Sequence, residues 1–358
     1  MCQLKSHTEF RNLIDLTMYF NSEEKCLRYL EQWAWGGKVS CPHCKHEIVY
    51  RYKSGKRFFC YGCKYKFTLK MGTIFESTKL PLIKWFMAMY LVANNKKGIS
   101  SYQLADTIGV SQKTAWFMLT KVRTVFKDMD DSQLEGVVMC DETFVGGKNK
   151  NRHIDKKFKY TKGRDFPDKV TVMGLVEMDG NARLFAISKT SKEVLLPIIY
   201  KNVKENSSVV TDEWKSYRKL NKNYDHQKVD HSKKEFMNDC GFSTNCVEGL
   251  WSIVKRTYNG TYHNMSKKHI QRYMDEIAFR YNTRQYNSEE RLNLIMGRIA
   301  FTLTQKQIIN EKEIPESLIP PPERVRRSYI KSGKHKGVYE RFYKNRHGKG
   351  SQESNYEA

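Results

Sequence analysis

Two Cys-x-x-Cys pairs, separated by fifteen residues, constrain the fold of this sequence more than any other feature. Each pair aims two sulfurs at one point, and two such turns facing each other complete a tetrahedral zinc site. The segment between them, EIVYRYKSGKRFFC, alternates like a β-hairpin with Ser54-Gly55 at its turn. This predicts a zinc ribbon over residues 39–72, with free or redox-active thiols as the alternative. Four thiolates leave no open position, so the zinc is expected to be structural. The predicted ligands are Cys41, Cys44, Cys60 and Cys63.

The chain is strongly basic, with 63 Lys and Arg against 39 Asp and Glu among 358 residues and a net charge of +24. Such a charge is most simply explained by a nucleic-acid partner, and a merely solvated surface is the alternative. No apolar run is long enough to span a bilayer, and the N-terminus lacks a signal-peptide layout. We therefore expect a cytoplasmic, nucleoid-associated protein with no membrane partner. Residues 301–358 are basic and poor in aliphatic side chains, which predicts a flexible tail.

Helical periodicity dominates the regions on either side of the predicted ribbon. Residues 1–38 predict short N-terminal helices. Residues 73–127 predict a helix-turn-helix DNA-binding region, with one helix beginning near Pro81 and two more capped by Ser101 and Ser111. A plain helical hairpin is the alternative. The second of the capped helices is expected to present four DNA-contacting side chains to solvent: Gln112, Lys113, Thr114 and Arg123.

A larger domain is predicted over residues 135–300, beginning with VVMCDETFVGGK. Its pattern of three strands, a helix, a strand, a helix, a strand and further helices is that of a ribonuclease-H-like mixed sheet. The fold class is therefore multidomain, combining α+β and α/β parts. In such a sheet the first and fourth strands are neighbours, so Asp141 and Asp212, each predicted at the end of an apolar strand, are expected side by side. Glu142 and Glu213 follow them directly and rank second, because strand alternation points them to the other face.

Adjacent carboxylates with a third oxygen ligand can hold two divalent cations. Magnesium prefers oxygen ligands and keeps waters for substrate phosphate. Two ions about 4 Å apart can activate a water or a 3′-hydroxyl and stabilise the leaving oxygen. The third ligand is expected in STNCVEGLWSIVKR, where Asn245 and Glu248 share one helical face and Lys255 lies on that face for a phosphate. Glu248 is the stronger candidate because it is charged, and a surface helix with an incidental acid is the alternative.

Several motifs together resemble those of the DDE-type bacterial insertion-sequence transposases that carry an N-terminal zinc ribbon. These motifs are DETFVGGK, VVTDEWKSY, H-x13-N-x2-E-G-x-W-x3-K-R beginning at His231, and Y-x2-E-x2-F-R-Y-N at residues 273–282. The resemblance covers residues 8–300. It implies that Asp141 and Asp212 are the first two catalytic acids.

The same resemblance implies that Asn245, Glu248 or both supply the third catalytic group, and that Lys255 follows them in the motif. It implies two catalytic magnesium or manganese ions held by Asp141, Asp212 and Glu248. Lys255 and Arg256 would contact DNA phosphates. The expected partners are double-stranded DNA, at element ends and target site, and further copies of the chain on that DNA.

The function expected from these features is a transposase that binds terminal repeats, cuts DNA and joins the 3′-hydroxyl to target DNA. A DNA-binding regulator on the same scaffold that no longer cuts is the main alternative. A zinc-ribbon nuclease that does not join strands is a third possibility. The presence of Asp141, Asp212 and Glu248 together favours cutting.

Overall fold

The computed structural model describes most of the chain, and the predictions for Glu213, His231 and residues 311–358 lie outside the described residues. The described ranges are 10–53, 55–127, 132–147, 153, 169–212, 215–217, 220–229 and 245–310. The helices are α1 Leu13–Tyr19, α2 Glu23–Trp35, α3 Leu82–Asn94, α4 Ser101–Ile108, α5 Gln112–Val125, α6 Lys192–Asn202, α7 Asn245–Thr257, α8 Ile270–Asn282, α9 Ser288–Met296 and α10 Gln305–Asn310. The strands are β1 Val49–Arg51, β2 Phe58–Cys60, β3 Lys66–Phe67, β4 Val137–Val145, β5 Val170–Glu177, β6 Ala182–Ile187, β7 Ser208–Thr211 and β8 Asp225–Lys228. Within these ranges no helix is long and apolar enough to cross a membrane.

The N-terminal part places a small sheet against helices, as the sequence predicts. β1, β2 and β3 form an antiparallel sheet in that order. The β1–β2 turn uses Gly55 in the left-handed region, at φ 67°, where a residue without a Cβ is favoured. Ser22 caps α2 by accepting a hydrogen bond from the Lys25 amide at 3.3 Å.

The two helices α4 and α5 are joined by a tight turn at Gly109, whose φ of 62° ends α4. The hydroxyl of Ser111 caps α5, as predicted, by accepting from the amide of Thr114 at 3.3 Å. The cap of α4 is Ser100 rather than Ser101, because the Ser100 hydroxyl accepts from the amide of Gln103 at 3.1 Å. Ser101 is the first residue inside the helix. The predicted pair of capped helices is otherwise as expected.

The helix α9 joins the N-terminal core although it lies near the end of the described chain. Leu292, Ile295 and Met296 are buried in one cluster with residues of the ribbon and of α3 to α5. The Ile74 amide donates to the Ile299 carbonyl at 3.0 Å, which fixes the segment after α9 beside the ribbon. α9 lies inside the predicted catalytic domain of residues 135–300 but packs with the N-terminal core. The domain boundary at residue 300 therefore stays a prediction.

The larger sheet has the strand order β6-β5-β4-β7-β8. β4, β5 and β6 are antiparallel neighbours, whereas β7 runs parallel to β4 and β8 runs parallel to β7. One face packs against α6 and the other against α7 and α8. This is the predicted ribonuclease-H-like mixed sheet, and the predicted adjacency of its first and fourth strands is confirmed.

The first strand of this sheet is longer than the sequence predicted. β4 has nine residues and Asp141 is the fifth, so the expectation that the strand ends before this acid was wrong. The pairing with β5 continues from Val138 to Val145 and places Asp141 opposite Gly174. The continued pairing with β5 explains the extension, and the β-branched and aromatic side chains after Asp141 are compatible with it.

Candidate active site

The pairing register brings the two predicted aspartates to one level of the sheet. Val137, Val138 and Met139 pair with Ser208, Val209 and Val210 in parallel β4 and β7. Asp212 directly follows β7. If this register is continued by two residues, the backbone of Asp212 lies level with that of Asp141, on a neighbouring strand about 4.8 Å away.

The carboxylate of Asp141 is held from α7. The indole Nε1 of Trp251 donates to Oδ2 of Asp141 at 2.8 Å, and Trp251 is buried with only 4% exposed. A Cβ at Gly174 would lie 2.7 Å from Cη2 of this indole, so the glycine leaves room for the ring. Neither residue was predicted from the sequence, although a glycine among the β-branched and apolar residues around Gly174 indicates a close approach by another group.

Neighbouring residues of β4 face opposite layers, as strand alternation requires. Met139 packs in the cluster with α7, whereas Val138 and Cys140 pack in the cluster with α6. Asp141 follows the first pattern. Glu142 follows the second, since the buried hydroxyl of Tyr217 donates to its Oε1. The prediction that Glu142 points away from Asp141 is therefore confirmed.

The pKa of Tyr217 is affected by the charged side chains at this end of the sheet. Burial raises the pKa of Tyr217 well above its usual range, and the negative charges of Glu142 and Asp212 raise it further. Burial likewise raises the pKa of the Cys140 thiol, with contributions from Glu142 and Asp141. Both groups stay protonated, so they act as neutral neighbours of the acids at neutral pH.

The helix α7 begins at Asn245 and carries Glu248 in its first turn. Both side chains are exposed, and so is Lys255 further along. Glu248 lies three residues before Trp251, one turn of helix from the side chain that holds Asp141. In the described part of the chain, only the four ribbon cysteines form a group of three or more His, Cys, Asp or Glu whose ligand atoms lie within 4.8 Å of one another. The site acids are thus more widely spaced than a closed ligand cluster.

The four cysteines of the ribbon fit a zinc ion. Sγ of Cys41 lies 3.6 Å from Sγ of Cys63, and Sγ of Cys44 lies 3.5 Å from Sγ of Cys60. Tetrahedral zinc with bonds of about 2.3 Å requires sulfurs about 3.8 Å apart, so the spacing matches. Burial opposes ionisation of Cys60, but hydrogen bonds from the Cys63 amide and the neighbouring thiols lower its pKa to about 7. The predicted structural zinc site is supported by this geometry.

The predicted DNA-contacting residues of α5 do not share one environment. Lys113 is exposed, whereas Gln112 and Thr114 are half-buried. The Gln112 amide donates to the Ser101 hydroxyl at 2.8 Å, and Thr114 shares a hydrogen bond with the Ser111 hydroxyl. The exposed surface of α5 is therefore concentrated in its first turns, the part that contacts bases in helix-turn-helix proteins. Arg256 on α7 is exposed as expected.

The expectation that Arg123 is exposed was wrong. Its side chain is 3% exposed, and Nε donates to Oε2 of Glu276 at 2.6 Å. Glu276 also accepts from the hydroxyl of Tyr262 at 2.5 Å and from Nη1 of Arg280. Burial opposes ionisation of Glu276, but Arg280 and Arg123 lower its pKa. Arg123 thus links α5 to α8 through a buried ion pair, so it is not one of the side chains that could contact DNA.

Comparison with known proteins agrees with this architecture. Residues 133–282 match the ISXO2-like transposase domain, and residues 21–66 match the transposase zinc-ribbon domain. A protein in transposable element ISH50 of Halobacterium salinarum is 28% identical over 291 residues, covering 77% of this chain and 97% of that protein. A transposase-like protein of Haemophilus influenzae is 28% identical over 104 residues, 29% of this chain and 82% of that protein.

Among solved structures, the Mos1 strand transfer complex is 12% identical and covers 60% of this chain and 78% of its own, with a TM-score of 0.21. A score this low carries no weight for fold or function.

The zinc ribbon and the mixed sheet of this chain thus coincide with two domains found in transposases. The two domain matches together cover more than half of the chain. The chain belongs to the DDE-type insertion-sequence transposases that carry an N-terminal zinc ribbon.

Proposed function

We propose that this transposase cuts a DNA strand at its element's ends and joins the resulting 3′-hydroxyl to target DNA. The observation that supports this most strongly is the pairing register of β4 and β7. Continued by two residues, it sets the backbone of Asp212 beside that of Asp141. Trp251, held by the sheet, anchors the Asp141 carboxylate beside the first turns of α7. A binder that no longer cuts has no need of this arrangement.

The donor set fits magnesium or manganese. Asp141, Asp212 and Glu248 offer carboxylate oxygens and Asn245 offers an amide oxygen, which are the ligand types these hard cations prefer. The bond from Trp251 goes to Oδ2 of Asp141 and orients the carboxylate. Two such ions would supply charge stabilisation to the attacking and leaving oxygens of a phosphodiester.

The remaining residues of α7 orient and hold the DNA. Lys255 and Arg256 are exposed in the last turn and are suited to backbone phosphates. The exposed first turn of α5, with Lys113, would contact the element's terminal repeat. Cutting both ends needs at least two active sites, so we propose that the protein works as a homo-oligomer on DNA.

The proposal is tested by incubating the zinc-loaded protein with DNA that carries the flanks of its gene, a target duplex and magnesium. Nicked strands and covalently joined products are expected. Binding without either product would favour a regulator, and nicked strands without joined products would favour a nuclease.

The third ligand is tested on the same substrate. Glu248→Gln should reduce metal-dependent cleavage more than Asn245→Ala, because Glu248 brings a negative charge. The reverse order would assign the ligand role to Asn245.

A further inference from the structure

A cavity of about 440 Å³ is lined by the end of α3, the last turns of α7, the second half of α8 and the first turn of α9. Its lining includes six basic side chains, and no Asp or Glu is among the described residues that line it. The six basic residues are Lys96, Lys97, Arg256, Arg280, Arg284 and Arg291. Such a concentration of positive charge in one concave site selects for an anion.

Two buried polar groups in the lining lack partners among the described residues. The Thr257 side chain is 1% exposed, and its hydroxyl makes no hydrogen bond. The Arg280 side chain is 8% exposed, and its Nε and Nη2 make none, while Nη1 is used by Glu276. Leaving a buried donor unsatisfied is unfavourable, and more so for a charged group. Both groups belong to residues that line the cavity, but the unpartnered atoms themselves are covered, so a ligand would reach them only after the lining side chains shift.

The other arginines of the lining are fixed by neutral oxygens rather than by carboxylates. Arg291 donates to the carbonyls of Thr283 and Arg284 and to the side-chain oxygen of Asn94. Arg284 donates to the carbonyls of Gly180 and Tyr281. Burial lowers the pKa of Arg291, and the nearby charge of Arg280 lowers it further. Arg284 and Arg291 are thus oriented by neutral groups, whereas the charge of Arg280 is paired with Glu276.

The position of the cavity relates it to the candidate active site. Arg256 and Thr257 lie two turns beyond Glu248 on α7, about 12 Å along the helix axis. A DNA strand advances about 3.4 Å per nucleotide, so this distance corresponds to about three or four nucleotides. A DNA strand bound at Glu248 would reach the rim of the cavity within a few nucleotides.

We propose that this cavity binds a backbone phosphate of the DNA strand a few nucleotides from the bond that is cut. The inference rests on the proposed function for the identity of the strand. After a shift of the lining side chains that uncovers these atoms, the phosphate oxygens would accept from Nε and Nη2 of Arg280 and from the hydroxyl of Thr257. Arg256, Lys96 and Lys97 at the exposed rim would guide the strand inward.

The first test uses pyrophosphate as a probe on the full-length, zinc-loaded protein. Pyrophosphate should raise the melting temperature of the wild type more than sodium chloride of equal ionic strength does, because it binds the folded state. Thr257→Val keeps the side-chain shape and removes only an unpartnered hydroxyl, so the variant should fold normally and respond less. Arg256→Gln should also respond less. Lys201→Gln removes one exposed charge on α6, at the other face of the sheet, and should respond as the wild type does.

The second test measures DNA affinity against salt for the same proteins. Losing one phosphate contact should reduce the slope of log affinity against log salt by about 1 for Arg256→Gln. Lys201→Gln, with the same change of charge, should keep the wild-type slope. Thr257→Val should weaken DNA binding without changing the slope, since it removes no charge.

The outcomes separate the cavity from its occupant. No extra stabilisation by pyrophosphate, or an undiminished response in Thr257→Val, would overturn the site. If Thr257→Val and Arg256→Gln lose the pyrophosphate response but bind DNA as the wild type does, DNA is not the occupant and a free phosphate compound is favoured. If the wild type binds no DNA, the proposed function fails, while the pyrophosphate comparison still decides whether the site exists.

Discussion

Trp251 and Asp141 are joined by a 2.8 Å hydrogen bond from the indole Nε1 to a carboxylate oxygen, although they lie 110 positions apart in the chain. The donor is rigid because Trp251 is buried against the sheet. A hydrogen bond to a charged acceptor contributes roughly 1.5–3 kcal/mol. Trp251 is therefore a positioning residue, which fixes the orientation in which Asp141 would meet a metal ion.

Replacing Trp251 by Phe keeps an aromatic ring in the core and removes the donor. We expect metal-dependent cleavage to fall about 10- to 100-fold, the range seen when a hydrogen bond to a metal ligand is lost. The loss should be partly recovered by raising the magnesium concentration, which a purely structural role would not produce. The measurement is the cleavage rate as a function of magnesium.

Gly174→Ala tests the same contact from the opposite side. Its Cβ would lie 2.7 Å from the indole and displace it, so the variant should shift the magnesium dependence in the same direction. Gly297→Ala is the matched control, because its Cβ would meet nothing closer than 3.6 Å. An unchanged magnesium dependence in both Trp251→Phe and Gly174→Ala would argue against the positioning role.

Glu276→Gln should strongly destabilise the fold. It leaves the buried guanidinium groups of Arg123 and Arg280 without their shared negative charge. Breaking a buried ion pair by removing one partner is unfavourable by about 3–5 kcal/mol. Chemical denaturation would measure the free energy of unfolding. As the control, Glu24→Gln removes an exposed ion pair with Arg28 and should change the free energy of unfolding by less than about 1 kcal/mol. Equal effects of the two substitutions would contradict the prediction.

Zinc loss should destabilise the N-terminal part as a whole, because Cys41 and Cys60 are buried in the core that also contains α3 to α5 and α9. Cys60→Ser should purify with less than one equivalent of zinc and melt at a lower temperature. Cys246→Ser, which changes a thiol outside the ribbon, should keep its zinc. Elemental analysis and thermal unfolding measure both properties, and full zinc content in Cys60→Ser would contradict the ligand assignment.

His226 should make stability sensitive to mild acid. Burial lowers its pKa to about 4, and the positive charge of Lys228 adds to this effect. Between about pH 4 and 6.5 the unfolded chain binds a proton that the folded chain does not, so the stability present above pH 6.5 is lost as the pH falls. Denaturation at about pH 7.5 and 5 should show a smaller loss for His226→Gln than for the wild type. Equal losses would show that His226 is not responsible.

The features that the sequence predicted well are those specified by neighbouring residues. Cys-x-x-Cys spacing and the Ser111 cap are local, and the succession of strands and helices along the chain follows from the pattern of apolar segments. The adjacency of β4 and β7 was inferred from the fold that this succession implies. The errors arose where distant residues decide. Arg123 is buried because Glu276, 153 positions away, neutralises it, and no local pattern separates such an arginine from an exposed one. β4 extends past Asp141 because β5 continues to pair with it.

The candidate site shows the same division. Asp141, Asp212 and Glu248 were predicted from expected strand ends, helix spacing and family motifs, although Asp141 lies inside β4 rather than at its end. Trp251 was missed because a tryptophan at helical spacing is expected in a core, and only its contact across the sheet reveals the bond to Asp141. Gly174 acquires its role only from the ring that packs over it.

The central claim is that Asp141 and Asp212 act together on a metal-dependent DNA cut. Its most direct test is the rate of strand cleavage with magnesium for Asp141→Asn and Asp212→Asn, which keep the side-chain shape and remove the charge. DNA affinity measured in parallel controls for folding. Both variants should bind DNA within a few-fold of the wild type and cleave at least about 100-fold more slowly, the scale of losing one electrostatic stabiliser. Cleavage by either variant at the wild-type rate would contradict the account.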